Sequence, residues 1–104
     1  MPLPTDSIGN QLRDYALAGF DLSLSHTIYF DHHFDARGGG VRMAARVQGE
    51  TVASIVDDSE GAWQVRCYLT AVPTHTAITE TEAKLGRIAE ACGGMTDGWE
   101  ILVR

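Results

Sequence analysis

The densest group of side chains that could do chemistry is a run of histidines and aspartates in the first third of the chain. His32 and His33 are adjacent, Asp31 precedes them and Asp35 follows. A metal site needs ligands that point the same way, whereas neighbouring residues of a strand point to opposite faces. His26 would share the face of His32 in a regular strand, so His26, His32 and Asp31 form the candidate set for a metal or small ligand. Because no cysteine pair or HExxH spacing accompanies them, we predict no metal and expect solvent-exposed residues at a strand end.

Other catalytic arrangements find little support in the sequence. Cys67 and Cys92 fall on apolar faces and are expected to be buried free thiols rather than nucleophiles. No GxSxG nucleophile elbow is present. The carboxylates of Asp57 and Asp58 are expected in a polar turn, where solvation gives them no special reactivity for acid–base catalysis. The glycine triplet at 38–40 matches neither nucleotide-binding fingerprint, because no Lys-Ser/Thr pair follows it. We therefore expect no enzyme activity and no cofactor.

Composition narrows the range of partners. The chain has 104 residues, enough for one domain with its own core, and 44% of them are hydrophobic. Its 14 acidic and 8 basic residues give a formal net charge of −6, which disfavours nucleic acids and anionic membranes as direct partners and permits a basic protein surface. No apolar run approaches the roughly 20 residues of a membrane span, and no signal peptide is visible. These features predict a cytoplasmic protein.

Hydrophobic spacing predicts the elements that carry these residues. A first helix starts after Thr5 or Asp6 and stops at Gly19, and we treat residues 1–19 as a helical arm ahead of an α+β domain at 20–104. Alternation predicts a first strand from Phe20 to Phe34. A second helix should run toward Gly49, with an irregular start at its three glycines. Two further strands, 50–56 and 62–72, flank a polar turn and form a hairpin.

The last third of the chain is predicted to form a helix, a tight turn and a closing strand. Residues from Ile78 to Cys92 show helical spacing, with a threonine at 74, 76 or 79 as N-cap, and Gly93 and Gly94 end the helix. A tight turn at Asp97 and Gly98 should follow, leading to a strand that starts with Trp99 in the core.

The order after the first helix is β-α-β-β-α-β, which favours a ferredoxin-like plait with one additional N-terminal helix. Alternation of apolar and polar residues predicts an antiparallel sheet covered on a single face. Tyr29, Arg66 and Tyr68 would lie on the open face. An RNA-stacking role for these aromatics is disfavoured by the net charge. Pairing of two copies through this face or an edge strand stays open, so a homodimer is an alternative.

Four segments resemble the ribonuclease E inhibitor family, the B-type (RraB-like) regulators of that nuclease. These are GFDLSLSHTIYFDHHF, ARVQGETVASIV, AWQVRCYL and the closing LGRIAEACGGMTDGWE, which is similar to the family's LxxLAxxxGGxYDGWE ending. The resemblance covers about residues 19–104, and its sharpest part is the GG-x-x-DGWE motif.

The resemblance implies a ferredoxin-like α+β fold, no catalytic residues, and a bacterial regulator that binds the endonuclease and changes which RNAs it cuts. We therefore expect a protein partner, ribonuclease E, and regulation of RNA degradation by protein–protein contact. Residues of the acidic hairpin and of the closing turn are the candidate contact residues: Asp57, Asp58, Glu60, Asp97, Trp99 and Glu100. The alternatives are a small-ligand or metal-binding domain and a self-associating domain.

Overall fold

The structure is a computed structural model that describes residues 6–47, the backbone of 52–57, and residues 63–102. Within these ranges the chain forms helices and strands in the order predicted. They are α1 (Ser7–Leu17), β1 (His26–Phe34), α2 (Arg37–Val47), β2 (Val52–Asp57), β3 (Trp63–Ala71), α3 (His75–Ala91) and β4 (Met95–Ile101).

The strands form one sheet in the order β2-β3-β1-β4, and every neighbouring pair is antiparallel. Each β-α-β unit is therefore split by a strand of the other unit. Helices α2 and α3 contact the sheet, and α1 contacts α3. Along β1, Ile28 and Phe30 are buried while Tyr29 and Asp31 are partly exposed. The predicted α+β class, with an antiparallel sheet, is confirmed.

Helix α1 packs on the domain. Asp6 caps its start by accepting a hydrogen bond from the Gly9 N–H at 2.8 Å, and Gly19 after its end has a φ of +101°. The Leu12 side chain is fully buried in the core. The Tyr15 hydroxyl accepts a hydrogen bond from the Ile101 N–H at 3.0 Å, which ties α1 to β4. The division of the chain at residue 19 stays a prediction.

Strand β1 is shorter than the sequence indicated. It begins at His26 rather than Phe20, and Leu24 is 58% exposed. Asp21 explains the difference, because its carboxylate accepts hydrogen bonds from the Ser23 N–H at 3.0 Å and the Ser23 hydroxyl at 2.6 Å. This local pairing stabilises a turn in place of the strand.

The glycine triplet belongs to helix α2, so the predicted irregular start is wrong: the helix begins at Arg37. A Cβ on Gly39 would lie 2.6 Å from the Cys92 carbonyl oxygen and 2.8 Å from the Phe34 ring. Glycine at this position therefore allows the backbone of α2 to approach the end of α3 and the last residue of β1 closely.

Helix α3 starts and ends as predicted. Among the three candidate threonines, Thr74 is the N-cap and accepts from the Ala77 N–H at 3.0 Å. At the other end Gly93 has a φ of +89°. Gly94 donates to the Ala89 carbonyl at 2.8 Å and Gly93 to the Glu90 carbonyl at 3.1 Å. These two bonds form a Schellman motif.

The predicted turn at Asp97 and Gly98 is wrong, because both residues lie within strand β4. Asp31 pairs with Gly98 and His32 pairs with Thr96, so Asp97 is the extra residue of a β-bulge. Gly98 has a φ of +131°, and the bulge thus uses the residue types that a turn would use. The prediction of a core tryptophan is confirmed, since Trp99 is only 3% exposed.

Candidate protein-binding surface

The sheet face that points away from the helices presents polar and aromatic side chains, and we call it the outer sheet face. Cross-strand pairing brings its members together: Tyr29 is opposite Tyr68 and Glu100, and Asp31 is opposite Arg66. Its described members are partly or fully exposed and are Thr27, Tyr29, Asp31, His33, Gln64, Arg66, Tyr68, Thr70 and Glu100. Tyr29, Arg66 and Tyr68 lie on this face as predicted, and their side chains are partly exposed.

The centre of the outer sheet face is an ordered cluster around one guanidinium. Arg66 donates from Nε to Asp31 Oδ1 at 2.8 Å and from Nη2 to Asp31 Oδ2 at 3.2 Å. Its Cζ lies 4.2 Å from the centroid of the Tyr29 ring, within cation–π range. The carboxylate of Asp31 raises the pKa of Arg66 further above its ordinary value. The cation is thus fixed, and it neutralises Asp31.

Two carboxylates on β4 have neutral donors instead. The Tyr29 hydroxyl donates to Glu100 Oε2, and Gln64 Nε2 donates to Asp97 Oδ2 at 3.0 Å. Donation to Glu100, together with burial, raises the pKa of Tyr29 to about 12, so the hydroxyl stays protonated. Asp97 and Glu100 are both exposed. This edge of the sheet therefore presents negative charge to solvent.

The predicted acidic contact residues that the structure describes lie on both edge strands of the sheet. Asp97 and Glu100 lie on the edge strand β4, whereas Asp57 ends the opposite edge strand β2, paired in register with Trp63. Asp58 and Glu60 lie outside the described residues. Trp99 points to the other side of β4, into the core, and its Nε1 is buried with no hydrogen-bond partner among the described residues.

The histidine run does not form a site. His32 is completely buried, so the expectation of solvent contact is wrong for it. Strand β1 continues to Phe34 and turns His32 toward the core, with Nδ1 3.3 Å from the Val65 carbonyl. Asp31 lies on the opposite face, and His26 Nε2 is 2.7 Å from the Asp21 carbonyl. No group of three or more possible metal ligands occurs within residues 6–47 and 63–102.

The environment of His32 favours the neutral imidazole. Burial lowers the pKa of His32 below its usual value of 6.5. Its Nε2 is buried without a hydrogen-bond partner in the part of the chain described. Cys67 and Cys92 are likewise buried, and neither forms a disulfide bond, as predicted.

Sequence reasoning missed a cavity between α1 and β4. It has a volume of about 390 Å³ and is lined by Gln11, Asp14, Tyr15, Ala18, Phe20, Trp99 and Glu100. Three of these residues lie on one face of α1, and Ala18, its C-cap, continues their spacing of i, i+3, i+4, i+7. That spacing was the available signal, but it does not show that the aromatic ring of Phe20 and strand β4 complete the wall.

The described helices include none with the length and apolar character needed to cross a membrane. No curated protein matches the chain. The family model of RraB, regulator of ribonuclease activity B, matches residues 5–101, which includes α1 as well as the sheet and its two covering helices. The chain therefore belongs to the RraB (regulator of ribonuclease activity B) family.

Proposed function

We propose that this protein regulates ribonuclease E by binding to it and performs no catalysis itself. The observation that carries the proposal is the family match over residues 5–101. The proposal includes a bacterial, cytoplasmic setting, which two buried cysteines without a disulfide bond suit. In this account the fold supplies a rigid surface, and its effect on RNA cleavage comes entirely from contact with the nuclease.

The acidic edge at β4 is the proposed contact surface for a basic region of the nuclease. Asp97 and Glu100 are exposed and hydrogen-bonded to neutral groups. Charge complementarity of this kind steers association and excludes wrong partners more than it adds affinity. Trp99 would act from within the core by holding the bulge in place, since its side chain is buried.

The acidic hairpin forms the second part of the proposed contact surface. Asp57 ends edge strand β2, and Asp58 and Glu60 follow it in the chain. The hairpin and the β4 edge would contact the nuclease at opposite edges of the sheet. If both contribute, the double variant D57K/D58K weakens binding in addition to any loss from the β4 edge.

The test measures binding of the purified full chain to purified ribonuclease E at about 50 mM and about 500 mM salt, where screening differs strongly. We expect binding at low salt that weakens at high salt. The variant D97K reverses one charge on the proposed surface and should weaken low-salt binding. The control E90K makes the same charge change on an exposed position of α3, in the helix layer. Equal affinity of D97K and E90K would contradict the proposed surface, and absence of binding at low salt would contradict the function.

A further inference from the structure

The cavity between α1 and β4 has an aromatic wall. The Tyr15 ring lies between those of Phe20 and Trp99, with centroid distances of 5.1 Å and 5.9 Å. The Tyr15–Phe20 pair is edge-to-face at 75°. The bond from the Ile101 N–H to the Tyr15 hydroxyl fixes this ring against β4. The wall is therefore ordered by contacts among α1, β4 and Phe20, which lies in the segment that follows α1.

Two carboxylates stand at the rim of the same cavity. Asp14 comes from α1 and Glu100 from β4, and both are exposed. The lining also includes the amide of Gln11 and the ring of Tyr15, which carries a hydroxyl. No lysine or arginine is among the described residues that line the cavity. An anion would meet two negative charges here, whereas a cation would meet two carboxylates beside aromatic rings, whose faces attract cations.

We propose that this cavity receives the guanidinium group of an arginine side chain from the protein partner. The inference rests on the proposed function for the identity of that partner. A planar guanidinium stacks on aromatic rings and pairs with carboxylates through its fixed fork of donors. The cavity is open to solvent, and its volume of about 390 Å³ can admit one long side chain.

The cavity is continuous with the acidic edge through Glu100, which lines the cavity and belongs to the outer sheet face. A basic segment lying along β4 would therefore reach both features. The acidic edge would attract any basic segment, and the cavity would select one that places an arginine at the gap between α1 and β4. The site thus adds specificity to an attraction that is otherwise general.

The first test titrates the full chain with the peptide acetyl-Gly-Gly-Arg-Gly-Gly-amide and follows the aromatic resonances of Tyr15, Phe20 and Trp99 by NMR. The matched peptide with citrulline replaces the guanidinium by a neutral group of the same shape. We expect saturable shifts of these rings with the arginine peptide and none with citrulline. Equal shifts with both peptides would overturn the proposal. Shifts with free methylguanidine but not with the arginine peptide would also overturn it, in favour of a small soluble cation.

The second test uses D14N, which removes one rim charge from an exposed position without changing the shape of the side chain. We expect D14N to weaken binding of the arginine peptide by about threefold or more, as for an exposed carboxylate contact at low salt. The control E90Q removes a carboxylate charge from α3 and should bind the peptide like the parent protein. Equal weakening by D14N and E90Q would show a general charge effect and overturn the site.

These results separate the site from the proposed function. If ribonuclease E binds the parent protein and D14N equally well and the arginine peptide causes no shifts, the proposed guanidinium site is wrong and the proposed function stands. If the arginine peptide binds with the expected discrimination but the nuclease does not bind, the guanidinium site stands and the function is wrong.

Discussion

The chemical role of His32 depends on which face of strand β1 its side chain occupies. In the sequence it is part of a polar run, yet in β1 it lies between Phe30 and Phe34 on the inner face and is fully buried. One ring nitrogen is 3.3 Å from the Val65 carbonyl. The other has no partner among the described residues. A charged imidazole would be costly in this position, which is why burial lowers the pKa of His32.

This environment predicts a pH-dependent stability. As the pH falls through 6.5, the unfolded chain binds a proton at His32 while the folded chain, whose pKa is lower, does not. The free energy of unfolding therefore decreases, with a slope of at most about 1.4 kcal/mol per pH unit. Urea unfolding between about pH 7.5 and about pH 5.5 should show a smaller decrease for H32Q than for the parent protein.

The control for this measurement is H33Q, which changes the neighbouring imidazole on the outer sheet face. His33 is only part-buried and lies 3.1 Å from the exposed carboxylate of Asp35. H33Q should not reduce the pH dependence in the way that H32Q does. Parallel curves for H32Q and the parent would contradict the assignment of the effect to His32.

At the scale of elements, the stability of helix α2 depends on the close packing of its backbone against neighbouring elements and not on helix propensity. Three consecutive glycines destabilise a helix, by roughly 1 kcal/mol each relative to alanine. The structure shows the compensating benefit at Gly39, where the backbone lies against the Cys92 carbonyl and the Phe34 ring. Gly38, by contrast, is exposed, and a Cβ there would meet only Arg42 Nη1 at 3.5 Å.

The two glycines therefore have opposite predicted responses to alanine. G39A should reduce the free energy of unfolding by about 1–3 kcal/mol, because the new methyl overlaps a backbone carbonyl that cannot move easily. G38A should increase it by up to about 1 kcal/mol through helix propensity. Urea denaturation of both variants tests this, and a G39A protein as stable as G38A would contradict the close packing.

Helix α1 gives a second prediction at the scale of elements. Leu12 is fully buried whereas Leu17, on the same helix, is 86% exposed. L12A should cost about 2–5 kcal/mol of stability, as for other buried leucines, and L17A less than about 0.5 kcal/mol. Thermal or urea unfolding compares them directly. If both variants unfold like the parent, α1 is a detachable arm and not part of the core.

The elements also show which features a sequence can predict. The ends of α1 and α3 were predictable because Asp6, Thr74 and Gly93 act through hydrogen bonds and backbone angles within a few residues. The bulge in β4 was not, because Asp97 and Gly98 suit a turn equally well and only pairing with β1 decides between them. Leu24 likewise continued an alternation that a local turn at Asp21 interrupts.

At the scale of the site, charge was predictable and shape was not. Composition and sequence position identified Asp97 and Glu100 as exposed acidic residues near the end of the chain. The cavity beside them needs α1 and β4, separated by about 80 residues, to meet at Tyr15 and Ile101. Spacing along one helix cannot predict such a contact, which arises only when the two elements pack.

The whole molecule combines a net charge of −6 with an outer sheet face whose central arginine is already paired with Asp31. The acidic edge at β4 is the proposed contact surface, and helices α2 and α3 pack on the sheet. We propose that this distribution of charge fits a basic protein surface, and family membership suggests that the protein regulates ribonuclease activity.

The most direct test measures RNA cleavage by purified ribonuclease E as the full chain is added in increasing amounts. The account predicts that the cleavage rate changes in a saturable way, that D97K shifts the curve to higher protein concentration, and that E90K follows the parent. The chain alone should leave the RNA intact. Cleavage by ribonuclease E that stays unchanged at saturating protein would contradict the central claim.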